Sequence, residues 1–273
     1  MTRTLKAVLC LLLVLAFNAV SFAENPVQEA KAKVKNLAKN AKVVKLTDKA
    51  AEGAQEVDLF QAIADDQIEV GVIQGNMKGG KLFVKNKTDK PLTVRMPKAI
   101  GTRPVMGQDM GMGGGQNQLM GGNMGMGGMG MGGMGMGGMG MGGMMNVPAE
   151  EVQAVKFQSL CLEHGKPEPK ASIPYEVCKI EECTQKPEVI AVVESLHNLN
   201  QRSAQLAAWH LNNGVSVEEL ASETVLHVNG VRTTNFSPEE VAQAVQIIRQ
   251  ARAYAAAHSA PAEESSSSES MNY

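Results

Sequence analysis

The side chains with the most distinctive chemistry in this 273-residue chain are its sulfurs, on 18 methionines and four cysteines. Fourteen of the methionines fall between 104 and 145, and Met-Gly-Met-Gly-Gly repeats four times in tandem from Met124 to Gly143. Thioethers are neutral soft ligands that select Cu(I) or Ag(I), and Met-x-Met spacing lets one loop offer several sulfurs to one ion. Met124, Met126, Met129, Met131, Met134, Met136, Met139 and Met141 are therefore the candidate ligands for Cu(I). No His or Cys lies inside the tract to anchor an ion. The competing reading is a glycine-rich spacer with no cofactor, whose methionines are passengers or scavenge oxidants.

Three cysteines lie beyond the N-terminal segment that holds Cys10: Cys161, Cys178 and Cys183. In an oxidising compartment a pairing is expected, with one thiol left over. Cys178 and Cys183 pair if Lys179 to Glu182 turn, and Cys161 pairs with Cys178 if they lie on adjacent strands; the spacing leaves both open. Cys161-Leu-Glu-His164 with Cys178-x4-Cys183 also offers four zinc-type ligands, although a Pro-rich turn and a strand separate the two halves. Cys161 and His164 make a thiolate and its base only if His164 sits in a turn, because strand residues three apart face opposite sides.

Other catalytic patterns fail. Gly75-Asn-Met-Lys-Gly-Gly80-Lys81 satisfies GxxxxGK, but Leu82 stands where magnesium needs a hydroxyl, and the following residues read as a strand rather than a phosphate-binding helix. A glycine hairpin explains the same residues. His197, His210 and His227 fall on separate segments without HxxxH or HExxH spacing. The chain has no GxSxG, no dinucleotide fingerprint and no calcium loop. The expectation is a protein that is not an enzyme and has no catalytic residues. Asn86-Lys-Thr88 and Asn235-Phe-Ser237 match the glycosylation sequon.

The elements that must position these groups begin after an export signal. Arg3 and Lys6 precede an apolar run from Ala7 to Val20, and small residues at Ser21 and Ala23 mark cleavage after Ala23. The run is shorter than the ~20 residues that span a bilayer, and no later segment supplies one, so no transmembrane segment remains once 1–23 is removed. Without residues 1–23 the net charge is near −4, which argues against nucleic acid as a partner, because such affinity comes from neutralising phosphates. One Trp, three Tyr and six Phe suffice for two modest cores rather than one large enzyme core.

Residues 24–66 read as a basic helical leader. Between 24 and 50 there are seven lysines and three acids, and Val27, Ala30, Val34, Leu37, Ala41 and Val44 recur at helical spacing. Residues 27–46 are thus a candidate contact with an anionic surface, set against a solvated, frayed leader. Residues 67–103 and 146–183 carry strand patterns and form the expected β domain. The Gly/Met-rich insertion 104–145 is expected to be disordered, since glycine cannot recover its ordering entropy by burial. Residues 184–258 read as helices, with capping boxes at Ser216 to Glu219 and Ser237 to Glu240 and a cap at Asn200. Residues 259–273 form a Ser/Glu tail, also expected to be disordered. The fold class is α+β: a small antiparallel β-sandwich-like domain split by the insertion, followed by a three- or four-helix cluster.

Lys85-Asn-Lys-Thr-Asp-Lys-Pro-Leu, Cys161-Leu-Glu-His-Gly-Lys-Pro-Glu-Pro and Ala207-Ala-Trp-His-Leu-Asn-Asn-Gly214 resemble segments of a family of exported bacterial proteins without assigned activity. That family carries a Gly-rich insertion between β segments, followed by a helical region. The resemblance spans about 68 to 222 and implies export and a two-part architecture. It brings no activity, cofactor or site residue, and the chain as a whole is expected to be a non-enzymatic exported binding or scaffold protein of the periplasm or cell envelope with a protein or envelope partner.

Overall fold

The computed structural model describes residues 25–105, 118–124, 142–228 and 230–259. Residues 1–23, where a signal peptide is expected, the Ser/Glu tail beyond 259 and the metal candidates from Met126 to Met141 lie outside the described residues. The strands are β1 (Lys42–Val43), β2 (Gln55–Asp58), β3 (Ile68–Asn76), β4 (Gly79–Asn86), β5 (Leu92–Arg95), β6 (Ala99–Pro104), β7 (Met120–Asn123), β8 (Met144–Val147), β9 (Val152–Cys161), β10 (Tyr175–Cys178), β11 (Thr224–Leu226) and β12 (Arg232–Thr234). The helices are α1 (Pro26–Asn40), α2 (Leu59–Ala64), α3 (Pro187–Glu194), α4 (Gln201–Asn213), α5 (Val217–Ser222) and α6 (Pro238–Ser259).

Consecutive buried residues, Leu82-Phe83-Val84 in β4 and Val152 to Val155 in β9, make strands with two buried faces. The α+β class expected from the sequence is present. Six strands run in the order β9-β4-β3-β10-β6-β7, and β7 pairs back onto β9, so they close into a barrel. Every pairing within the ring is antiparallel. A second sheet, β2-β5-β8, packs its Leu92, Val94, Met145 and Val147 into the same core as Leu82 and Val84.

The closing strand comes from inside the insertion. The expectation that 104–145 is disordered throughout fails at 118–124 and at 142–145, where β7 and the start of β8 are built. The physical reason is local: Gln118-Leu-Met-Gly-Gly-Asn-Met124 carries side chains that the pentapeptide repeat lacks. Met120 and Met124 are fully buried, each contributing about 1.5–3 kcal/mol. The two glycines between them answer close approach rather than slack. A Cβ on Gly121 would sit 2.6 Å from Val193 Cγ2, and one on Gly122 would sit 2.9 Å from the Phe157 ring.

The expected basic leader is also corrected. Asn25 accepts from the Val27 amide and Pro26 opens α1, which ends at Asn40 rather than running to Val44. Beyond it β1 joins β9 in parallel, and β2 joins β5 in parallel, so 24–66 is woven into the body. The helix periodicity alone was too weak to predict docking. The outer face of the barrel supplies what it lacks: Leu37 packs with Phe83, Val152 and Ala154 in a small second core.

Four helices form the C-terminal cluster among the described residues, within the expected range. Asn200 caps α4 by accepting from the Arg202 and Ser203 amides. Ser237 and Glu240 exchange hydrogen bonds at the start of α6, as a capping box requires. The buried stripe of α6 runs through Ala244, Ile247, Ile248, Ala251 and Ala255, while Val241 and Val245 lie at its margin. The hairpin β11–β12 bears four of the five large apolar side chains that stand exposed among the described residues: Val225, Leu226, Val228 and Val231.

Amide side chains fasten the cluster to the barrel. Gln205 on α4 accepts from the Cys161 amide at 2.8 Å and donates to the Cys161 carbonyl at 2.7 Å, completing the end of β9 as a neighbouring strand would. Asn123 on β7 donates to the carbonyls of Val193 and Glu194 at the end of α3. Removing Gln205 leaves a buried N–H and C=O unpaired. The Gln205→Ala variant should lose about 3 kcal/mol of stability, read as a lower urea midpoint with an unchanged slope.

Candidate functional site

The thiols were the first candidates. Cys161 ends β9, is fully buried, and its backbone is held by Gln205. Burial pushes its thiol up to about 12, with a smaller push from Glu168. That is opposite to what a nucleophile needs, because the thiolate is the reactive form. His164, the base that sequence spacing offered it, is engaged elsewhere: its Nε2 lies 2.6 Å from Glu223 Oε1, and its ring meets Trp209 edge-on at 4.9 Å. The structure therefore gives the pair separate tasks.

Pairing of Cys161 with Cys178 across adjacent strands is overturned, because β9 and β10 are not neighbours in the barrel. Cys178 and Cys183 are brought together, with their sulfurs 3.3 Å apart. The four-ligand zinc set is not assembled; among the described residues no three His, Cys, Asp or Glu side chains are grouped to hold a metal. Met124 is removed from the thioether set as well. It is buried in the main core, and its amide donates to the Lys98 carbonyl. The Gly142 amide donates to the Met96 carbonyl, so Met124 and Gly142, the described residues on either side of 125–141, are both held at one turn, Met96 to Lys98.

The GxxxxGK stretch is the hairpin its glycines indicated: β3 and β4 pair in antiparallel register on either side of Met77 and Lys78. Asn76 stabilises the turn by accepting from the Lys78 amide at 2.8 Å. Asn86, in the first sequon, is fully buried and donates to the carbonyls of Lys90 and Val147.

The hairpin and α1 border a cleft of about 530 Å3 on the outer face of the barrel. Ile73, Phe83 and Phe157 line it, together with Lys78, Lys81 and Lys156. A second cleft of about 400 Å3 adjoins it, sharing Ala38 and Ile73 and adding Lys31, Lys35 and Lys39 from α1. Among the described residues no carboxylate lines either cleft. A third depression of about 590 Å3, on the other flank of α1, is electrically mixed: Lys33 faces Glu69 and Lys42 pairs with Glu151.

Within the first cleft, Lys81 of β4 and Lys156 of β9 are directly opposed in register. Both are exposed, and neither has an ion-pair partner among the described residues. Like charges facing each other across two strands destabilise a sheet, and an anion between them reverses the sign. Sequence reasoning placed basic contacts in 27–46 and missed Lys81 and Lys156. The local signal was present, since Lys156 interrupts the buried residues of β9 and Lys81 directly precedes those of β4. The register that opposes them joins segments about seventy positions apart and has no local signature.

Comparison with protein-family models, curated proteins and solved structures finds no match to this chain.

The thiol assignments carry a pH signature. Folded Cys161 keeps its proton to about 12 while the ordinary thiol value is 9.0, and buried Tyr175 is likewise pushed from 10.0 to about 12. The unfolded chain ionises first, so the stabilisation is complete below pH 9 and is lost as pH rises from 9 to 12. Urea midpoints measured across that range should fall, and Cys161→Ala should shift the onset of the fall upward.

Proposed function

We propose that this protein is a non-enzymatic binding module exported to the periplasm or cell envelope, and that its partner is an anionic lipid surface. The observation that carries the reading is the opposed Lys81–Lys156 couple, which among the described residues has no ion-pair partner and no carboxylate lining its cleft. Lys31, Lys35 and Lys39 extend the same cationic face along α1, and each lysine near an anionic membrane adds about 1 kcal/mol. The apolar floor of Ile73, Phe83 and Phe157 suits the acyl boundary beneath a headgroup. No helix among the described residues is long and apolar enough to cross a membrane, so the reading is a surface contact. Cys161, the group nearest to a nucleophile by sequence, is buried and protonated, which supports a non-enzymatic role. The resemblance carried by 68 to 222 supports export. We read the barrel and the β2-β5-β8 sheet as the two layers of the expected sandwich-like body, since they share one core.

A second reading is soft-metal binding by Met126, Met129, Met131, Met134, Met136, Met139 and Met141. The observation favouring it is that Met124 and Gly142, which flank the seven thioethers in sequence, are both held at the Met96–Lys98 turn. An anaerobic Cu(I) titration against a competing chelator tests it. The deletion to compare is 125–141, because a wider one would remove β7 or β8. Tight stoichiometric binding lost on deletion is the expected result for a metal site; equal weak binding in both proteins leaves the tract a spacer.

For the principal reading, the protein without 1–23 should sediment with phosphatidylglycerol vesicles and not with phosphatidylcholine vesicles, with binding weakened by salt. Lys81→Glu should reduce the affinity roughly tenfold while leaving the melting temperature unchanged or raised, because it converts a like-charge pair into an opposite-charge one. Equal binding to neutral vesicles, or full binding by Lys81→Glu, would overturn the assignment.

A further inference from the structure

The junction between the barrel and the helical cluster holds a second chemically distinct site. Cys178 is the last residue of β10, and Cys183 caps the 3-10 turn Ile180–Glu182 that leads towards α3. Their sulfurs are 3.3 Å apart, inside van der Waals contact. Both rest on Gly101 of β6, the register partner of Cys178. A Cβ at Gly101 would lie 2.6 Å from Cys183 Sγ and 2.8 Å from Cys178 Sγ, so only glycine lets the two sulfurs share this place. Arg103, two residues along β6, grips the turn from the outside by pairing with Glu176 at 2.5 Å and Glu182 at 3.0 Å. The turn that sequence spacing demanded of Lys179 to Glu182 is thus built and held independently of any bond between the sulfurs. Cys178 is buried and Cys183 half-buried, so an external reagent reaches the pair through Cys183.

We propose that Cys178 and Cys183 are a redox site that closes to an intrachain disulfide by exchange with a disulfide oxidant, while Cys161 stays a thiol. The oxidant, of the class R–S–S–R, is attacked by Cys183 as its proton passes to the Cys178 sulfur beside it, which forms a mixed disulfide and expels one R–S⁻. Cys178 then attacks Cys183 Sγ, forming the intrachain bond and expelling the second R–S⁻. Two electrons and two protons pass from the cysteines to the oxidant, which leaves as two R–SH. The hydrogen bond donated by Cys183 lowers the Cys178 thiol and raises that of Cys183, which makes Cys178 the base that takes the Cys183 proton in the first step. Cys161 is enclosed in the core at the end of β9, whereas Cys178 ends β10, which is not a neighbour of β9 in the ring, and Cys183 caps the turn beyond it. The bond would lock the segment through which the chain passes from β10 to α3, where Lys186 already donates to the Leu211 and Asn212 carbonyls of α4.

Trypsin makes the test direct, because Lys179 lies between the two cysteines. The protein without 1–23 is equilibrated with oxidised and reduced glutathione, quenched in acid, alkylated under denaturing conditions, digested without reductant and weighed. The expected product is the peptide ending at Lys179 joined to the one beginning at Ile180, two hydrogens lighter than the separate pair, with Cys161 alkylated. Cys161→Ala should give the same linked product. Recovery of Cys178 and Cys183 as separately alkylated peptides, or a linkage that contains Cys161, would overturn the proposal.

Discussion

β7 must lie between β6 and β9, and the rest of the structure depends on that placement. Without it the ring has two open edges; with it β6 and β9 are both paired and the barrel is closed. The strand is short, and its hold is not in hydrogen bonds alone. Met120 and Met124 fill the interior, and Asn123 reaches out to the end of α3. Gly121 lets Val193 of α3 press onto the backbone, while Gly122 receives Phe157. One tetrapeptide therefore closes the barrel and seats the helical cluster.

From that closure the remaining contacts follow in layers. β9 is the hub: it pairs with β4 along one edge, while β1 and β7 share the other. Because β9 is fixed, Lys156 faces Lys81, and because β1 continues from α1, the lysines of that helix are drawn up beside them. The cationic face is a product of strand register and not of overall charge, which is slightly negative for the chain as a whole. On the opposite end of β9, Gln205 replaces a missing strand partner, and Asn212 and Asn213 of α4 bind Leu162 and His164 just beyond it. Polar side chains thus carry a junction that apolar packing alone would leave free to slide.

Local signals were legible and long-range ones were not. Strand alternation at Ile68, Val70 and Val72, the Gly79-Gly80 hairpin, and the caps at Asn200, Ser216 and Ser237 each depend on neighbours within a few residues. All of them appear in the structure. β7 was hidden because glycine content was averaged over the whole tract, and the role of Gly121 and Gly122 depends on Val193 and Phe157, which are remote in sequence. Cys178 and Cys183 were visible as a candidate pair by their spacing, but the choice over Cys161 needed the strand order. The Lys81–Lys156 couple is wholly a matter of register.

Amide hydrogen exchange on Gly121, Gly122 and Asn123, followed by NMR beside Leu160 and Cys161 of β9, is the most direct measurement of the closure. If β7 is integral to the barrel, these amides that bond into the ladder exchange only through global unfolding, with the same protection as β9. Exchange of the β7 amides within seconds, while β9 stays protected, would mean that the ring is open in solution and that the closure account is wrong.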